Sequence, residues 1–164
     1  MASALAGCVL LGEAGYTNTA ALDGGGGASL AVRAAAGDLR DSKTHVIPDV
    51  ALRGDLASSG DRLALGLGLA YALRPGWRAN ATPFARVSLW LDPLRGGDAS
   101  RDDLAIPSLD LGGLWFGGAG SQRRSLFELG ARVEWLGRPG DAAAGVGWGV
   151  YVGYGVSTSL TIPE

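Results

Sequence analysis

Hydrophobic and small or polar residues alternate one by one through most of this chain, most cleanly between Gly145 and Leu160. There Val146, Trp148, Val150, Val152, Tyr154, Val156, Thr158 and Leu160 take every second position. Gly145, Gly147, Gly149, Tyr151, Gly153, Gly155, Ser157 and Ser159 lie between them. Successive side chains of a strand point to opposite faces, so a period of two predicts a β-strand, here longer than the usual ~5–6 residues. One face is apolar and the other nearly bare. A strand with one face in water would carry Lys, Glu or Thr there. Glycine suits the inside of a narrow cylinder, where bulk does not fit.

The same rhythm predicts eight extended segments, at 8–19, 27–36, 45–56, 62–74, 77–92, 104–116, 124–136 and 145–160. Turn-forming residues separate them: Asp23-Gly24-Gly25-Gly26-Gly27, Gly37-Asp38, Ser58-Ser59-Gly60-Asp61, Arg74-Pro75-Gly76, Asp92 to Asp103, Gly117 to Gln122 and Gly137 to Asp141. Regular strands joined by short Gly/Pro turns form an up-and-down meander, closed as a barrel or packed as a sandwich. No shift of composition marks a second domain, so residues 1–164 are expected to form one.

Faces follow from the alternation. In the fourth segment Leu63, Leu65, Leu67, Leu69, Tyr71 and Leu73 oppose Ala64, Gly66, Gly68, Ala70, Ala72 and Arg74. In the fifth, Trp77, Ala79, Ala81, Pro83, Ala85, Val87, Leu89 and Leu91 oppose Arg78, Asn80, Thr82, Phe84, Arg86, Ser88, Trp90 and Asp92. In the seventh, Phe127, Leu129, Ala131, Val133 and Trp135 oppose Arg124, Leu126, Glu128, Gly130, Arg132 and Glu134. The third sets Val46, Pro48, Val50 and Leu52 against His45, Ile47, Asp49, Ala51, Arg53 and Asp55. Segments one, two and six alternate less well.

Composition narrows the class. The chain has 28 glycines and 18% charged residues, which penalises helices. A net charge of −2 leaves no electrostatic footprint for nucleic acid. Lys43 is the one lysine among fourteen cationic residues; arginine is the better partner for buried carboxylates, and a GC-rich genome gives the same bias. No run reaches 18 apolar residues, so no transmembrane helix is expected, although a membrane barrel gives a weaker signal per strand. The single cysteine, Cys8, excludes an intrachain disulfide and a Cys-rich metal site.

Two arrangements share this alternation. A soluble barrel points its apolar face inward around a ligand; an outer-membrane barrel points it at lipid and packs the polar face inside. Three features favour the membrane. The second face mixes Gly, Ala and Ser with charges of both signs. Leu63 to Leu73 extends for ~35 Å at about 3.3 Å per residue, and tilted by ~40° covers roughly 27 Å, near the height of an apolar belt. Aromatic residues cluster near segment ends: Tyr71 and Trp77 flank one turn, Trp135 and Trp148 another, and the two connections fall at opposite ends of a meander. Such belts suit the membrane–water interface; the alternative is tryptophans packed in an ordinary core.

On these features the chain resembles small eight-stranded outer-membrane barrels of the OmpA and OmpX type over most of residues 8–160. The resemblance is one of architecture. It implies an all-β, eight-stranded antiparallel up-and-down barrel, transmembrane, in a bacterial outer membrane. Members of this type often finish on an aromatic residue, whereas this sequence closes on Leu160-Thr161-Ile162-Pro163-Glu164.

The inner face is expected to carry Asp49, Arg53, Asp55, Arg78, Arg86, Asp92, Arg124, Glu128, Arg132 and Glu134, five acids and five bases. Buried ions must be paired, so these predict a plug of Arg–carboxylate bridges, with Arg86 and Arg132 reaching Glu128, Glu134, Asp49 or Asp55. The alternative is a gated ion path. His45 has Ser42, Thr44 and Asp49 near it in sequence, the residue types used by lipid-modifying barrel enzymes. Its inward parity at the start of a segment favours a structural role instead. Leu5-Ala6-Gly7-Cys8 resembles a lipobox, which would make Cys8 a candidate lipidation site and residues 1–7 a signal-peptide remnant. The other reading puts Cys8 in or near the first strand, and no basic residue precedes it. The charged connection 92–103 reads as a solvated loop, the alternatives being a site for a divalent cation or a contact for protein subunits; it lacks EF-hand spacing, and its arginines offset its aspartates. The G-x-G pattern in 145–155 is strand alternation with no phosphate-binding helix after it. No cofactor or metal is expected.

The function expected is a filled outer-membrane barrel that serves as a structural or surface-interaction protein, or as a membrane-embedded subunit of an assembly, with lipid as its surroundings. The alternatives are a soluble or lipid-anchored barrel binding an apolar ligand, and an outer-membrane lipid-modifying enzyme.

Overall fold

A computed structural model describes residues 5–18, 26–37, 45–57, 60–73, 81–91, 105–117, 123–136 and 145–161. They form eight strands: β1 (Leu5–Asn18), β2 (Gly26–Ala36), β3 (Val46–Ala57), β4 (Gly60–Ala72), β5 (Ala81–Leu91), β6 (Ala105–Gly117), β7 (Arg123–Leu136) and β8 (Gly145–Thr161). Each pairs antiparallel with its neighbours in chain order, and β8 returns to β1 to close a barrel. Leu5 pairs with Thr161 at one rim, the first rim, and Asn18 with Trp148 near the opposite, second rim.

Closure fixes the tilt. From Trp115 the register runs through Phe127, Tyr154, Gly12, Val32, Leu52, Leu65 and Leu91 and arrives back on β6 at Ala105, ten residues from its start. Ten residues at about 3.3 Å, set against eight strands about 4.7 Å apart, incline the strands by about 40°. The walk also shows that register partners climb toward the second rim in the order β4, β5, β6, β7.

Strand limits fall within two residues of the sequence expectation, apart from the starts of β1, which begins three residues earlier at Leu5, and of β5. There 74–80 lie outside the described residues, so Trp77 and Arg78 do too, as do Asp92, the connection 92–103, Ser42 and Thr44. Three turn signals are shortened. Gly26 pairs with Asn18 and Gly117 with Ser125 as strand residues. Gly60 and Asp61 are strand residues paired with Ala57 and Leu56, so the β3–β4 connection is shorter than Ser58-Ser59-Gly60-Asp61 suggested. Gly37, with φ of 148°, ends β2 in a conformation that side chains disfavour, and its N–H donates to Gly7 O at 2.8 Å.

Three prolines punctuate the ladders. β2–β3 pairing ends at Ala35↔Asp49, next to Pro48. β4–β5 ends at Ala72↔Phe84, next to Pro83. β6–β7 ends at Ser108↔Glu134, next to Pro107. Proline has no N–H for the ladder. Each sits where a ladder stops, so none costs a bond in its interior.

Candidate functional site: the lumen and the outer wall

Parity sorts the side chains into a lumen and a wall. Among the described residues of the wall, all positions from Leu10 to Ala14 on β1, Leu30 to Ala34 on β2, Pro48 to Gly54 on β3 and Leu63 to Leu69 on β4 are apolar or glycine. So are Ala85 to Leu89, Pro107 to Gly113, Phe127 to Val133 and Val150 to Tyr154 on β5 to β8. Aromatic residues border this band. Near the first rim stand Tyr71, stacked on His45 at 5.8 Å, and Trp115, against Phe127 at 5.7 Å. Near the second stand Trp135 and Trp148, the latter 6.0 Å from Tyr16. Phe127 and Trp135 are eight residues apart on β7, ~27 Å along the strand and about 20 Å along the axis.

Between the aromatic borders, the described residues carry charge only on the inside. Glu13, Asp49, Asp55, Asp110, Glu128 and Glu134 are buried, as are Arg33, Arg53, Arg86 and Arg132. Arg62 and Arg124 are half-buried on the same face, so six acids face six arginines among the described residues. Arg86 is the hub. It grips Glu128 at 2.9 and 3.2 Å, and approaches Asp49 at 3.3 Å, Asp110 at 3.5 Å and Glu13 at 3.8 Å. Arg132 makes a two-pronged bond to Asp110, at 2.8 and 2.9 Å, and lies 3.6 Å from Glu13. Its partner is thus directly opposite on β6, not Glu128, Glu134, Asp49 or Asp55. Arg33 joins Glu13, at 2.6 Å, to Asp49. Arg53 joins Asp55, at 3.1 Å, to Glu134. Tyr151 Oη lies 2.9 Å from Glu128 and 3.1 Å from Asp110; its one proton serves one carboxylate at a time.

Trp90 stands in the middle of these charges with 0% of its surface exposed. Its Nε1–H donates to Ser108 Oγ at 3.0 Å. The guanidinium carbons of Arg53, Arg132 and Arg33 lie 4.4, 4.8 and 5.6 Å from its ring centre, within cation–π range. A tryptophan in a narrow lumen needs a bare wall opposite, and Gly66 supplies it: a Cβ there would lie 2.7 Å from Trp90 Cζ3. Gly130 does the same for the Tyr151 ring and Gly68 for the Asp49 carboxylate.

Toward the first rim the lumen turns apolar. Val9, Leu11, Ile47, Phe84, Leu114 and Leu126 pack together there, with Ala35 and Phe116 against them. A cavity of about 30 Å³ lies between this floor and Arg33, Asp49, Arg86 and Glu128, large enough to hold water.

The structure therefore brings Asp49, Arg53, Asp55, Arg86, Glu128, Arg132 and Glu134 into one lumen, with Arg124 on the same face nearer the first rim. Sequence reasoning missed Glu13, Arg33 and Asp110 as members. Each is the lone charge of an otherwise uncharged strand, and that isolation was the available signal. His45 is half-buried at the first rim, its Nδ1 3.1 Å from Ala72 O. Cys8 lies within β1, exposed on the wall. Leu5, Ala6 and Gly7 ahead of it pair with Thr161, Leu160 and Ser159, so cleavage before Cys8 would strip the first pairs of the closing ladder.

Gly153 tests the inner face. A Cβ there would meet Leu11 Cδ2 at 3.1 Å and Glu128 Cβ at 3.2 Å. Gly153→Lys must displace both and add an unpaired cation to a balanced lumen. The expected result is a loss of folded barrel, read as the fraction resisting SDS unless boiled; unchanged folding would turn Gly153 outward.

No protein-family model matches the chain, and comparison with curated proteins gives no match. Among solved structures, the chain is similar to Neisserial surface protein A, with a TM-score of 0.54 and 14% identity over 95% of this chain and 97% of that one. An acetoacetate decarboxylase-like enzyme from Sphingomonas wittichii RW1 overlaps at a TM-score of 0.27, with 15% identity over 98% and 94% of the two chains, too poor a superposition to bear on fold or activity. The likeness to the surface protein supports the eight-stranded closed antiparallel barrel derived above.

Proposed function

We propose that this chain spans a bacterial outer membrane as a filled barrel and works as a structural or surface-interaction protein, or as the membrane-embedded part of an assembly. One observation carries the reading: between the two aromatic borders the wall bears no charge, while six acids and four arginines are buried inside. Water outside would select the reverse. Hydrocarbon outside requires it, because backbone polar groups are satisfied around a closed barrel and an apolar band of ~25 Å meets lipid. The likeness to a surface protein's barrel agrees with this setting.

A soluble barrel holding an apolar ligand would need the leucine rows inside, whereas Leu63, Leu65, Leu67 and Leu69 lie outside and exposed. A lipid-modifying site at His45 would need a free acid beside it. Asp49 is engaged with Arg33 and Arg86, and His45 with Ala72 and Tyr71. On this reading the paired charges and the apolar floor below them fill the lumen, so the barrel is an anchor and its specificity belongs to its connections.

Cell fractionation with heat-modifiability on a gel tests the setting. The protein is expected in the outer-membrane fraction, with the unboiled form migrating faster. A folded monomer freely soluble without detergent overturns the reading. In planar bilayers the folded protein is expected to show no unit conductance, and reproducible steps would overturn the filled lumen.

A further inference from the structure

Two leucine-rich rows cross the wall side by side. Register places Leu67, Leu89 and Pro107 in one row, and Leu69, Val87 and Leu109 in the next. Between them the backbone of Gly68, Ser88 and Ser108 forms a floor, because Gly68 has no side chain and those of Ser88 and Ser108 point into the lumen. The result is an open groove of about 600 Å³ across β4, β5 and β6, with Trp135 of β7 at its end. That end is special. The β6–β7 ladder stops at Ser108↔Glu134, beside Pro107, so Trp135 has no register partner on β6.

Its depth identifies the occupant. From Leu69 to Trp135 the groove climbs three strand spacings and two residues, roughly 14 Å along the axis, about half of a ~30 Å hydrocarbon core. It begins near mid-belt and ends among the aromatic residues of the second rim. A lipid acyl chain in the leaflet on that side has the matching length, polarity and direction, with its ester end at the indole, an interface-seeking ring.

We infer that this groove seats one acyl chain of a membrane lipid, held longer than the lipids around the rest of the wall. The inference rests on the membrane-spanning reading and adds a discrete lipid site to it. The second rim's leaflet supplies the lipid.

The folded barrel, purified in mild detergent after reconstitution in phosphatidylcholine vesicles, is expected to carry one retained phospholipid by native mass spectrometry. Val87→Phe, which fills the groove, should abolish retention. Val150→Phe, the same change on β8, should preserve it. In vesicles of acyl-brominated phosphatidylcholine, wild-type fluorescence should be quenched more than that of Trp135→Phe, with lipid exchange slower than for Val87→Phe. No retained lipid, equal retention by Val87→Phe, or a dimer mass in place of a lipid adduct overturns the site. Failure of the membrane reading is separate and visible first, as a barrel that needs no detergent.

Discussion

Arg86→Ala is expected to destabilise the barrel by about 3–5 kcal/mol, the cost of leaving buried charge uncompensated. Arg86 touches Glu128, Asp49, Asp110 and Glu13, and the four are not equally exposed to its loss. Asp110 keeps Arg132, and Glu13 and Asp49 keep Arg33. Glu128, which Arg86 grips through two hydrogen bonds, keeps the Tyr151 hydroxyl, a neutral group that cannot balance its charge, so the penalty should concentrate there. Arg86→Ala with Glu128→Gln should therefore cost less than the two single changes added, by about 0.5–3 kcal/mol of coupling. Urea titration of vesicle-inserted protein, followed by the heat-modifiable band, measures all four corners of the cycle. A coupling near zero with a mild Arg86→Ala would mean that these charges are wet, where a pair is worth only about 0–1 kcal/mol.

Leu67→Arg is the second large effect, and it separates lipid from water outside the wall. Leu67 is 49% exposed and lies about midway between the aromatic borders. If hydrocarbon covers it, an arginine near the midplane should cost ~2–4 kcal/mol. If water covers it, the same substitution on an exposed side chain should stay within about 0.5 kcal/mol. The outward placement makes this a clean contrast, since in an inward-facing leucine row the charge would be harmful in either solvent. Leu63→Arg, nearer the second rim, should cost less, because the penalty falls toward the interface. Equal, negligible costs at both positions would place the wall in water.

The legibility of the fold varied by strand for a physical reason. β4, β5, β7 and β8 alternate cleanly because their inner faces are mostly small or charged. β1 and β6 hide their faces because the lumen is not polar throughout, and β2 because alanine lines both of its faces. Val9 and Leu11 face inward on β1, and Ile106, Leu114 and Phe116 do so on β6, as apolar as the wall residues between them. An interior with its own apolar floor erases the contrast that a period-two reading depends on. Glu13, Arg33 and Asp110 went unassigned for the same reason. The arginine partners were partly legible: parity set which charges share the lumen, whereas the choice of Asp110 for Arg132 depends on register, which no sequence pattern encodes.

The seam between β1 and β8 has a consequence for how the molecule comes into being. It runs from Leu5↔Thr161 to Asn18↔Trp148, joining stretches separated by nearly the whole chain. Every other seam links neighbours in sequence and can zip from its turn. This one must wait for the eighth strand, and loop closure over such a span is slow. Until then both edges are long, unpaired strands with greasy sides, the state most prone to stick to another copy. The molecule thus has no stable half-built form to pause in. Its assembly should be all-or-none, and its greatest hazard lies in the interval before the ends meet.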